Sequence, residues 1–566
     1  MGESCIEADV LVIGGGLAGM RAAIEANKLG AAVVLVVKGK LAKGGCGVSA
    51  YHGAGVGPWC APGDTKELHL RDVIKCGGYL ADQELCKIMV DEVTDRLVEL
   101  ERFGLYWERK SDGSIDAYLG AGHSAPRTIS SFQRQSGLSM VNALKAEIIR
   151  QKIRVLEDIL VTEMLSQNGT VVGATGLNYL DGEFIYFKAK STVLATGCAS
   201  QVFPVCTPPP ECTGDGQAMA YRVGAELMNM EQVLYVSCFA NPAAWRGIMV
   251  PTLFKIGDDV PHLLNRGGER YLQRYDPENL EMATKDIIAR AAYTEIKEGR
   301  AGEGNTLYAD LRHLPYEELK QKLGAVVGCM EKIGLDARKD LVEFTPTAHE
   351  TLGGVKINSE CESTVPGLYA AGSVVSAIYG NDGITGRGTG HALVFGKRAG
   401  EYAGKRALEI SMPSIEWEQV ETERKRVFKL LDSREGIAPI KALKNLQQIM
   451  GTYFWLAKNE AGLKKALKEI LRMREEDFSR LCLSCSTRRY NLEWLHALEL
   501  GNMVDVSEMM VRSAVMRKES RTTFLREDYP EEDNANWLKN IVVRRENGQM
   551  RVSSMPVKLT YVRPEE

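Results

Sequence analysis

The chain has 566 residues, of which 45% are hydrophobic and 25% are charged. This composition is typical of a folded globular protein and excludes a disordered or fibrous chain. At about 150 residues per domain, the length predicts three to four domains. Lys and Arg total 70 and Asp and Glu total 74, so the net charge of −4 offers no basic field to a nucleic acid partner.

The sequence shows no membrane or secretion signal. The longest apolar run covers residues 31–37, whereas a membrane-spanning helix needs about 18 apolar residues. The N-terminal sequence MGESCIEADV is acidic and lacks the pattern of a secretory signal. We therefore expect a cytoplasmic protein that does not insert into a membrane directly, with any membrane association made through partner subunits.

The 13 cysteines are scattered along the chain, as expected for reduced thiols in the cytoplasm. Only Cys482 and Cys485 have a CxxC spacing. One such pair cannot hold a zinc ion or an iron–sulfur cluster alone. We predict no metal site within the chain.

The first forty residues have the pattern of a βαβ unit. Residues 8–13 (ADVLVI) predict a buried parallel strand, and residues 17–29 predict a helix that ends at Gly30. Residues 31–37 (AAVVLVV) predict a second buried strand. This arrangement is typical of the first unit of a dinucleotide-binding domain.

The turn between the first strand and the helix carries the GxGxxG fingerprint. Gly14 allows the tight turn, Gly16 lets the backbone approach a pyrophosphate, and Gly19 lets helix and strand pack closely. The N-terminus of the helix then faces the phosphates with the positive end of its dipole. A simple NAD dehydrogenase would have an acidic residue after the second strand, but the chain has Lys38 there.

The rest of the chain predicts further elements of both kinds. In order, they are a glycine-rich loop at 38–57, a β-meander at 170–189 with a hairpin turn at Asp181 and Gly182, a buried strand at 191–197, short helices and loops at 265–354, a strand at 367–372, a helix at 390–410, and charged helices from 415 to 502.

Eight motifs spread over nearly the whole chain identify a family. They are GGGLAG (14–19), LATG (194–197), TGDGQAMAYRVGAEL (213–227), TPTAHETLGG (345–354), GLYAAGS (367–373), ALVFGKRAG (392–400), RYNLEWLHALELGNM (489–503) and ESRTTFLREDYP (519–530). In this order they resemble the flavoprotein subunit of the fumarate reductase/succinate dehydrogenase family, whose relatives include L-aspartate oxidase and adenylylsulfate reductase.

The resemblance implies an α/β fold with a Rossmann-like FAD-binding domain split in sequence, an inserted α+β capping domain and a C-terminal helical domain. The implied boundaries are 1–235 for the first part of the FAD-binding domain, 236–348 for the capping domain, 349–412 for the second part of the FAD-binding domain, and 413–566 for the C-terminal helical domain and tail.

The resemblance also implies which residues contact FAD. Asp215 of TGDG matches the family's FAD-contacting aspartate, and Ser373 stands where the family commonly has a glutamate. The implied FAD contacts are Gly14, Gly16, Leu17, Ala18, Gly19, Lys38, Gly45, Cys46, Gly47, Val161, Ala195, Thr196, Gly197, Asp215, Gly372, Ser373, Gly388 and Thr389.

Cys46 decides how FAD is expected to be held. Respiratory family members attach the flavin 8α-methyl to a histidine in the glycine-rich loop, and Cys46 takes that position here. A cysteinyl bond to flavin is chemically possible, but soluble relatives without the histidine hold FAD non-covalently. We predict non-covalent FAD.

The dicarboxylate site departs from the family pattern. Val236 replaces the first histidine, the segment 244–254 lacks a Thr-Glu pair, and Gly383 aligns with the second arginine. In KDIIAR (285–290), Lys285 takes the place of the proton-donating arginine. The second histidine is kept. The resemblance therefore implies a catalytic set of Lys285, His349, Arg290 and Arg387.

These replacements affect how well the site can bind a dicarboxylate substrate. Burying two carboxylates without paired cations is costly, and Lys offers a point charge where Arg offers a bidentate clamp. We therefore expect fumarate and succinate to be poor substrates. The alternative is that the missing roles have moved to unaligned residues such as Arg246, Arg387 or His391.

We predict an FAD-dependent oxidoreductase that exchanges electrons with an iron–sulfur partner and reduces, or forms, an activated C=C bond in a small acid. Lys285 is the candidate proton donor. One alternative is a dithiol/disulfide oxidoreductase that uses Cys198, Cys206 or Cys212. Another is an electron-relay flavoprotein within a larger redox complex.

An iron–sulfur partner is expected because the sequence shows no four-cysteine cluster and no recognisable nicotinamide site. In multi-subunit relatives the segment matching 519–530 lies beside the iron–sulfur subunit. The residues predicted to form a polar docking rim with apolar anchors are Arg521, Arg526, Glu527, Asp528, Phe524 and Tyr529.

Overall fold

The computed structural model describes residues 4–250, 255–256, 258–376, 378, 380, 383–433 and 435–564, without the side chain of Gln133. The helices are α1 Leu17–Lys28, α2 Lys66–Cys76, α3 Gln83–Arg102, α4 Ser136–Arg150, α5 Asp215–Arg222, α6 Leu272–Tyr275, α7 Lys285–Lys297, α8 Tyr316–Lys332, α9 Arg387–Glu409, α10 Trp417–Lys429, α11 Pro439–Tyr453, α12 Glu460–Arg472, α13 Leu492–Met516 and α14 Asn534–Trp537.

The strands range in length from two to twelve residues. They are β1 Ser4–Ile13, β2 Val33–Val36, β3 Gly53–Ala54, β4 Ala117–Tyr118, β5 Thr128–Ile129, β6 Arg154–Leu156, β7 Ile159–Gln167, β8 Thr170–Asn178, β9 Glu183–Leu194, β10 Leu227–Met228, β11 Val233–Phe239, β12 His262–Leu264, β13 Leu307–Asp310, β14 Val342–Thr351, β15 Gly354–Val355, β16 Leu368–Ala370, β17 Ala457–Lys458, β18 Leu525–Arg526, β19 Lys539–Glu546 and β20 Gln549–Pro556.

A seven-stranded sheet forms the centre of the molecule. Its order is β6-β2-β1-β9-β8-β7, and β16 pairs with β9 outside this path. Strand β1 runs parallel to β2 and β9, whereas β7, β8 and β9 pair antiparallel as a meander. The βαβ unit predicted from residues 8–37 is thus present as β1, α1 and β2.

Helix α9 packs closely on α1. A β-carbon on Gly396 or Gly400 would overlap the backbone of Ala18 or Ala22 in α1. These two glycines lie on one face of α9 because they are four residues apart. Their missing side chains let the two helix backbones approach, which brings the N-terminus of α9 to the same region as the fingerprint turn.

The predicted meander at 170–189 and the predicted separate strand at 191–197 are joined in the structure. Strand β9 runs through both segments without a break. Residues 183–188 pair antiparallel with β8, and residues 192–194 pair parallel with β16. Buried and half-buried residues alternate from Tyr186 to Lys190, whereas the last four residues are all buried. The hydrophobic pattern therefore changes in the middle of one strand. The first half has one face buried and one face partly exposed, whereas both faces of the second half are buried.

The region between the two parts of the central fold is built on a second sheet, in the order β11-β14-β13-β12. We predicted only short helices and loops from residue 265 to 354, but this region contains the 17-residue α8 and the ten-residue β14. The proposed boundaries at 236 and 349 fall inside β11 and β14, which pair with each other. These strands are the crossing points between the two regions.

The C-terminal region contains the helices α10 to α13, as predicted, but it ends in a β-hairpin. Strands β19 and β20 pair along their whole length, and β19 also pairs with β10. The hairpin therefore attaches the end of the chain to the first half of the fold. Each helix in the described part of the chain is too short or too polar to span a lipid bilayer.

The predicted docking rim at 519–530 is wrong for three of its residues. The side chains of Arg521, Phe524 and Arg526 are buried. Arg521 donates hydrogen bonds to Glu519, and Arg526 donates to backbone carbonyls of the preceding segment. These arginines hold the C-terminal segment together, because a buried guanidinium needs acceptors for its donors, and so they offer no surface to a partner.

Candidate active site

A cavity of about 300 Å³ lies where β1, β2 and β9 end, within the usual size range of ligand pockets. All but one of the residues implied to contact FAD line it. These are Gly14, Gly16, Leu17, Ala18, Lys38, Gly45, Cys46, Gly47, Val161, Ala195, Thr196, Gly197, Asp215, Gly372, Ser373, Gly388 and Thr389. The exception, Gly19, lies inside α1.

The fingerprint glycines have three different surroundings. Gly14 has a φ of 115°, and a β-carbon there would overlap the carbonyl oxygen of Ala195 at the end of β9. A β-carbon on Gly19 would overlap the carbonyl oxygen of Gly14. Gly16 has nothing within 4 Å of a built β-carbon, so its backbone faces open space at the N-terminus of α1. This geometry fits a pyrophosphate laid against the helix N-terminus.

Lys38 joins the cavity wall to the C-terminal helix α13. Its Nζ donates to Asp215 Oδ2 at 2.8 Å, to Glu499 Oε1 at 2.7 Å and to Thr213 Oγ1 at 2.8 Å. Burial opposes the ammonium charge, but the two carboxylates together raise the pKa of Lys38. Because three protein acceptors take its three protons, Lys38 holds the cavity wall, Asp215 and α13 together.

Lys285 begins α7, a helix that packs on β11 of the second sheet, and its side chain lines the cavity. Its Nζ donates to the carbonyl oxygen of Gly383 at 2.6 Å. A lysine ammonium carries three protons, and this contact fixes the position of Nζ at the cavity wall. Lys285 thus has the chemistry of a positioned proton donor.

Arg387 begins α9 and is almost fully buried. A β-carbon on Gly383 would overlap the guanidinium of Arg387. The guanidinium also lies 3.9 Å from Glu350 Oε2. Arg387 therefore fills the space that a side chain on residue 383 would need, and of Arg246, Arg387 and His391 it is the one that lines the cavity.

His349 lies on β14 and lines the cavity. Its Nδ1 forms a hydrogen bond with Thr207 Oγ1. Burial, and then the charge of Lys285, lower the pKa of His349 to about 4. At neutral pH the imidazole is uncharged, so it can orient or polarise a bound group but cannot supply a positive charge.

Several further titratable residues line the cavity that the sequence did not single out, among them His52 and Glu350. His52 lies in the glycine-rich loop next to Tyr118, and burial lowers its pKa well below the usual range. Glu350 follows His349, and burial raises its pKa against the opposing effect of Arg387. The sequence signal for Glu350 is its place in the TPTAHETLGG motif, directly after His349.

Arg290 does not belong to the cavity. Its guanidinium donates to the backbone carbonyls of Thr522 and Phe524, on the C-terminal segment. The other two relocation candidates also lie elsewhere, since Arg246 is exposed and His391 is buried against Phe395. Residues 251–254, which belong to the segment without a Thr-Glu pair, lie outside the described residues.

Three cysteine thiols meet at the cavity wall. Cys46 Sγ lies 3.6 Å from Cys198 Sγ and 3.9 Å from Cys212 Sγ. Cys206, which the sequence placed with Cys198 and Cys212, is not part of this cluster, and its Sγ accepts a hydrogen bond from Gln201.

The fold and the cavity together define a flavin-dependent oxidoreductase of the dinucleotide-binding class, and comparisons with known proteins agree. Residues 9–386 match the model of the FAD binding domain family, and residues 443–566 match the model of the fumarate reductase flavoprotein C-terminal domain. The chain belongs to the fumarate reductase/succinate dehydrogenase flavoprotein family, and its cofactor is FAD.

Relatives match over nearly the full length. The chain is 35% identical over 548 residues to a subunit of fumarate reductase (CoM/CoB) from Methanothermobacter marburgensis, covering 96% of this chain and 98% of that one. It superposes on E. coli quinol fumarate reductase FrdA with a TM-score of 0.92 and 28% identity, covering 100% and 99%. For Mycobacterium smegmatis Sdh1 the TM-score is 0.87 and the identity 30%, covering 99% and 96%. These matches confirm the predicted family, fold class and cofactor.

Proposed function

We propose that this chain is the flavoprotein subunit of a redox complex that reduces, or forms, an activated C=C bond in a small acid. The observation that carries the proposal is the meeting of Lys285 and Arg387 at Gly383, in the same cavity as the dinucleotide fingerprint. A fixed ammonium and a buried guanidinium are suited to an anionic substrate that must receive a proton.

The protein residues have separate roles in this proposal. FAD, when bound, supplies hydride transfer to and from carbon. Arg387 binds a carboxylate of the substrate, and Lys285 holds a proton at Nζ for the carbon that becomes protonated. His349, neutral and fixed through Nδ1 by Thr207, orients the substrate by hydrogen bonding.

The position of Arg387 supports the alternative that the carboxylate clamp has been rebuilt from unaligned residues. Val236, which replaces a histidine of the family pattern, lines the cavity and adds an apolar wall. We therefore include fumarate among the proposed substrates, with one carboxylate on Arg387. A relative at 35% identity is named a fumarate reductase, which supports this choice.

Reoxidation of the reduced flavin tests the proposal. The holoprotein, reduced with dithionite without excess, is mixed anaerobically with fumarate, with a monocarboxylate enoate such as crotonate, and with succinate as a saturated control. We expect fumarate or the enoate to restore the oxidised flavin spectrum and succinate to leave the flavin reduced. A flavin that no enoate reoxidises would contradict the proposal and favour an electron-relay module.

We also propose an iron–sulfur partner subunit. In the part of the chain that the structure describes, the cysteine cluster close enough to share a metal has three members, Cys46, Cys198 and Cys212, whereas common clusters need four thiolates. Electrons would therefore reach the flavin from another protein. Purification from the native host under anaerobic, low-salt conditions should yield an iron-containing complex. An iron-free monomer that turns over rapidly with NADH or oxygen would contradict this.

A further inference from the structure

The cysteine cluster joins three distant parts of the sequence. Cys46 belongs to the glycine-rich loop. Cys198 comes directly after Gly197, a few residues beyond the end of β9, and Cys212 precedes the TGDG motif. The Sγ atoms of all three lie within 4.8 Å of one another. Cys46 is the shared neighbour, at 3.6 Å from Cys198 and 3.9 Å from Cys212.

The cluster is part of the cofactor cavity. Cys46 and Cys212 line the cavity, and Cys198 lies behind them with no exposed surface. Thiols that are only small apolar core residues have no need to place three sulfur atoms together. Here the sulfur atoms meet at the wall of the cavity that the dinucleotide fingerprint also lines.

Cys198 is the thiol best prepared to lose its proton. Its Sγ lies 3.3 Å from Ser200 Oγ as well as near the other two sulfurs. The neighbouring thiols of Cys212 and then Cys46 lower the pKa of Cys198 well below that of a free thiol. A thiolate is the reactive form of cysteine in disulfide chemistry.

Cys46 is the thiol best able to move. It begins a single 3-10 turn and lies between Gly45, which has a φ of 82°, and Gly47. The half-buried side chain has to approach Cys198 by about 1.6 Å to reach the S–S bond length of about 2.05 Å. Glycines on both sides of Cys46 make such a local adjustment of the backbone inexpensive.

We propose that Cys46 and Cys198 form a redox-active dithiol that exchanges two electrons with FAD. In the oxidising direction both S–H bonds break, one S–S bond forms, and two electrons and two protons pass to FAD. In the reverse direction reduced FAD returns two electrons and two protons, and the S–S bond breaks. Cys212 stays a thiol and positions Cys198. This activity goes beyond the proposed C=C chemistry, because it stores a second electron pair in the chain itself.

Counting electrons and thiols tests the proposal without any substrate. The recombinant full chain, loaded with FAD and free of iron, is oxidised with ferricyanide, desalted, and titrated anaerobically with dithionite. We expect about four electrons per FAD, where flavin alone takes two. Thiols counted in denaturant should be two fewer than the total of 13 in the oxidised protein and should return to 13 after reduction.

Peptide mapping and variants identify the pair. Mapping after acid denaturation should show a disulfide between Cys46 and Cys198 in the oxidised protein. Cys198→Ser should lower the electron count to about two per FAD. Cys206→Ser is the matched control, since Cys206 is near the cluster but outside it, and should keep four.

Three results would overturn the proposal. The unmodified chain could take up two electrons per FAD while its thiol count stays constant. The disulfide could map to another pair of cysteines, or the three thiolates could bind a metal ion. If Cys198→Ser fails to retain FAD, the electron count and the peptide map of the unmodified chain decide the matter alone.

Discussion

The guanidinium of Arg387 lies in the space that a side chain on Gly383 would occupy. Residue 383 is the position that aligns with the second arginine of the family, and Arg387 comes four residues later, at the start of α9. The cation thus reaches the cavity from a neighbouring position in the chain. Glycine at 383 is required for this arrangement because any β-carbon there would displace the guanidinium.

We expect Gly383→Ala to disturb substrate binding through Arg387. The added methyl group overlaps the guanidinium, so Arg387 must move and the carboxylate loses its bidentate partner. The KM for fumarate or another enoate should rise at least tenfold, and FAD should remain bound. Steady-state kinetics with a reduced viologen dye measure this. The control is Gly328→Ala, at a helical position where an added β-carbon has no atom within 4 Å. An equal KM in the two variants would contradict the role of Arg387.

Lys285→Ala should leave FAD bound and lower turnover by about 10²–10⁴-fold, since loss of a positioned acid typically has an effect of this size. The matched control is Lys297→Ala in the last turn of the same helix, where the ammonium contacts Glu527 at the surface. Turnover with a reduced dye and an enoate, together with the flavin content, checks both variants. Unchanged turnover in Lys285→Ala would remove this lysine from the mechanism.

FAD should be released when the protein is denatured. Cys46 stands where some relatives have an attaching histidine, and its thiol contacts two other thiols. Precipitation with acid should therefore leave yellow FAD in the supernatant, measurable by absorbance and by its fluorescence. Flavin fluorescence that stays with the denatured band on a gel would show a covalent bond instead.

Buried His391 should make the protein less stable in mild acid. Burial, with the charge of Arg387 second, lowers the pKa of His391 to about 3, against about 6.5 in an unfolded chain. Between these values the unfolded state binds more protons, so stability falls as the pH falls from 6.5 towards 3. At pH 5 this single group lowers the free energy of unfolding by about 2 kcal/mol.

The variant His391→Leu checks this linkage. Its loss of stability between pH 7 and pH 5, measured by urea denaturation, should be about 2 kcal/mol smaller than in the unmodified chain. His496→Leu, at a half-buried position in α13, is the control. Equal losses in the two variants would contradict the prediction.

Features that depend on neighbouring residues could be predicted from the sequence. The unit β1–α1–β2 rests on a local hydrophobic pattern and on glycines within six residues of one another, so a nucleotide site at the fingerprint could be predicted from the residues themselves. The choice of FAD came from the family resemblance that the eight motifs carry. The charged helices of the C-terminal half follow the same rule. The β19–β20 hairpin was missed because β19 is apolar only where it faces β10, more than 300 residues earlier.

Other features depend on which distant segments meet. The sequence determined that Lys285, His349 and the fingerprint belong to a flavoprotein, because residue types and order carry that information. Only the tertiary structure decided that Arg387 reaches the cavity and that Arg290 binds the C-terminal segment. It also decided that Arg521 joins that segment to the carbonyl oxygen of Gly78, and that Cys46 meets two cysteines more than 150 residues away. The reason is physical: side-chain chemistry is local to a residue, whereas burial and contact are set by how the whole chain packs.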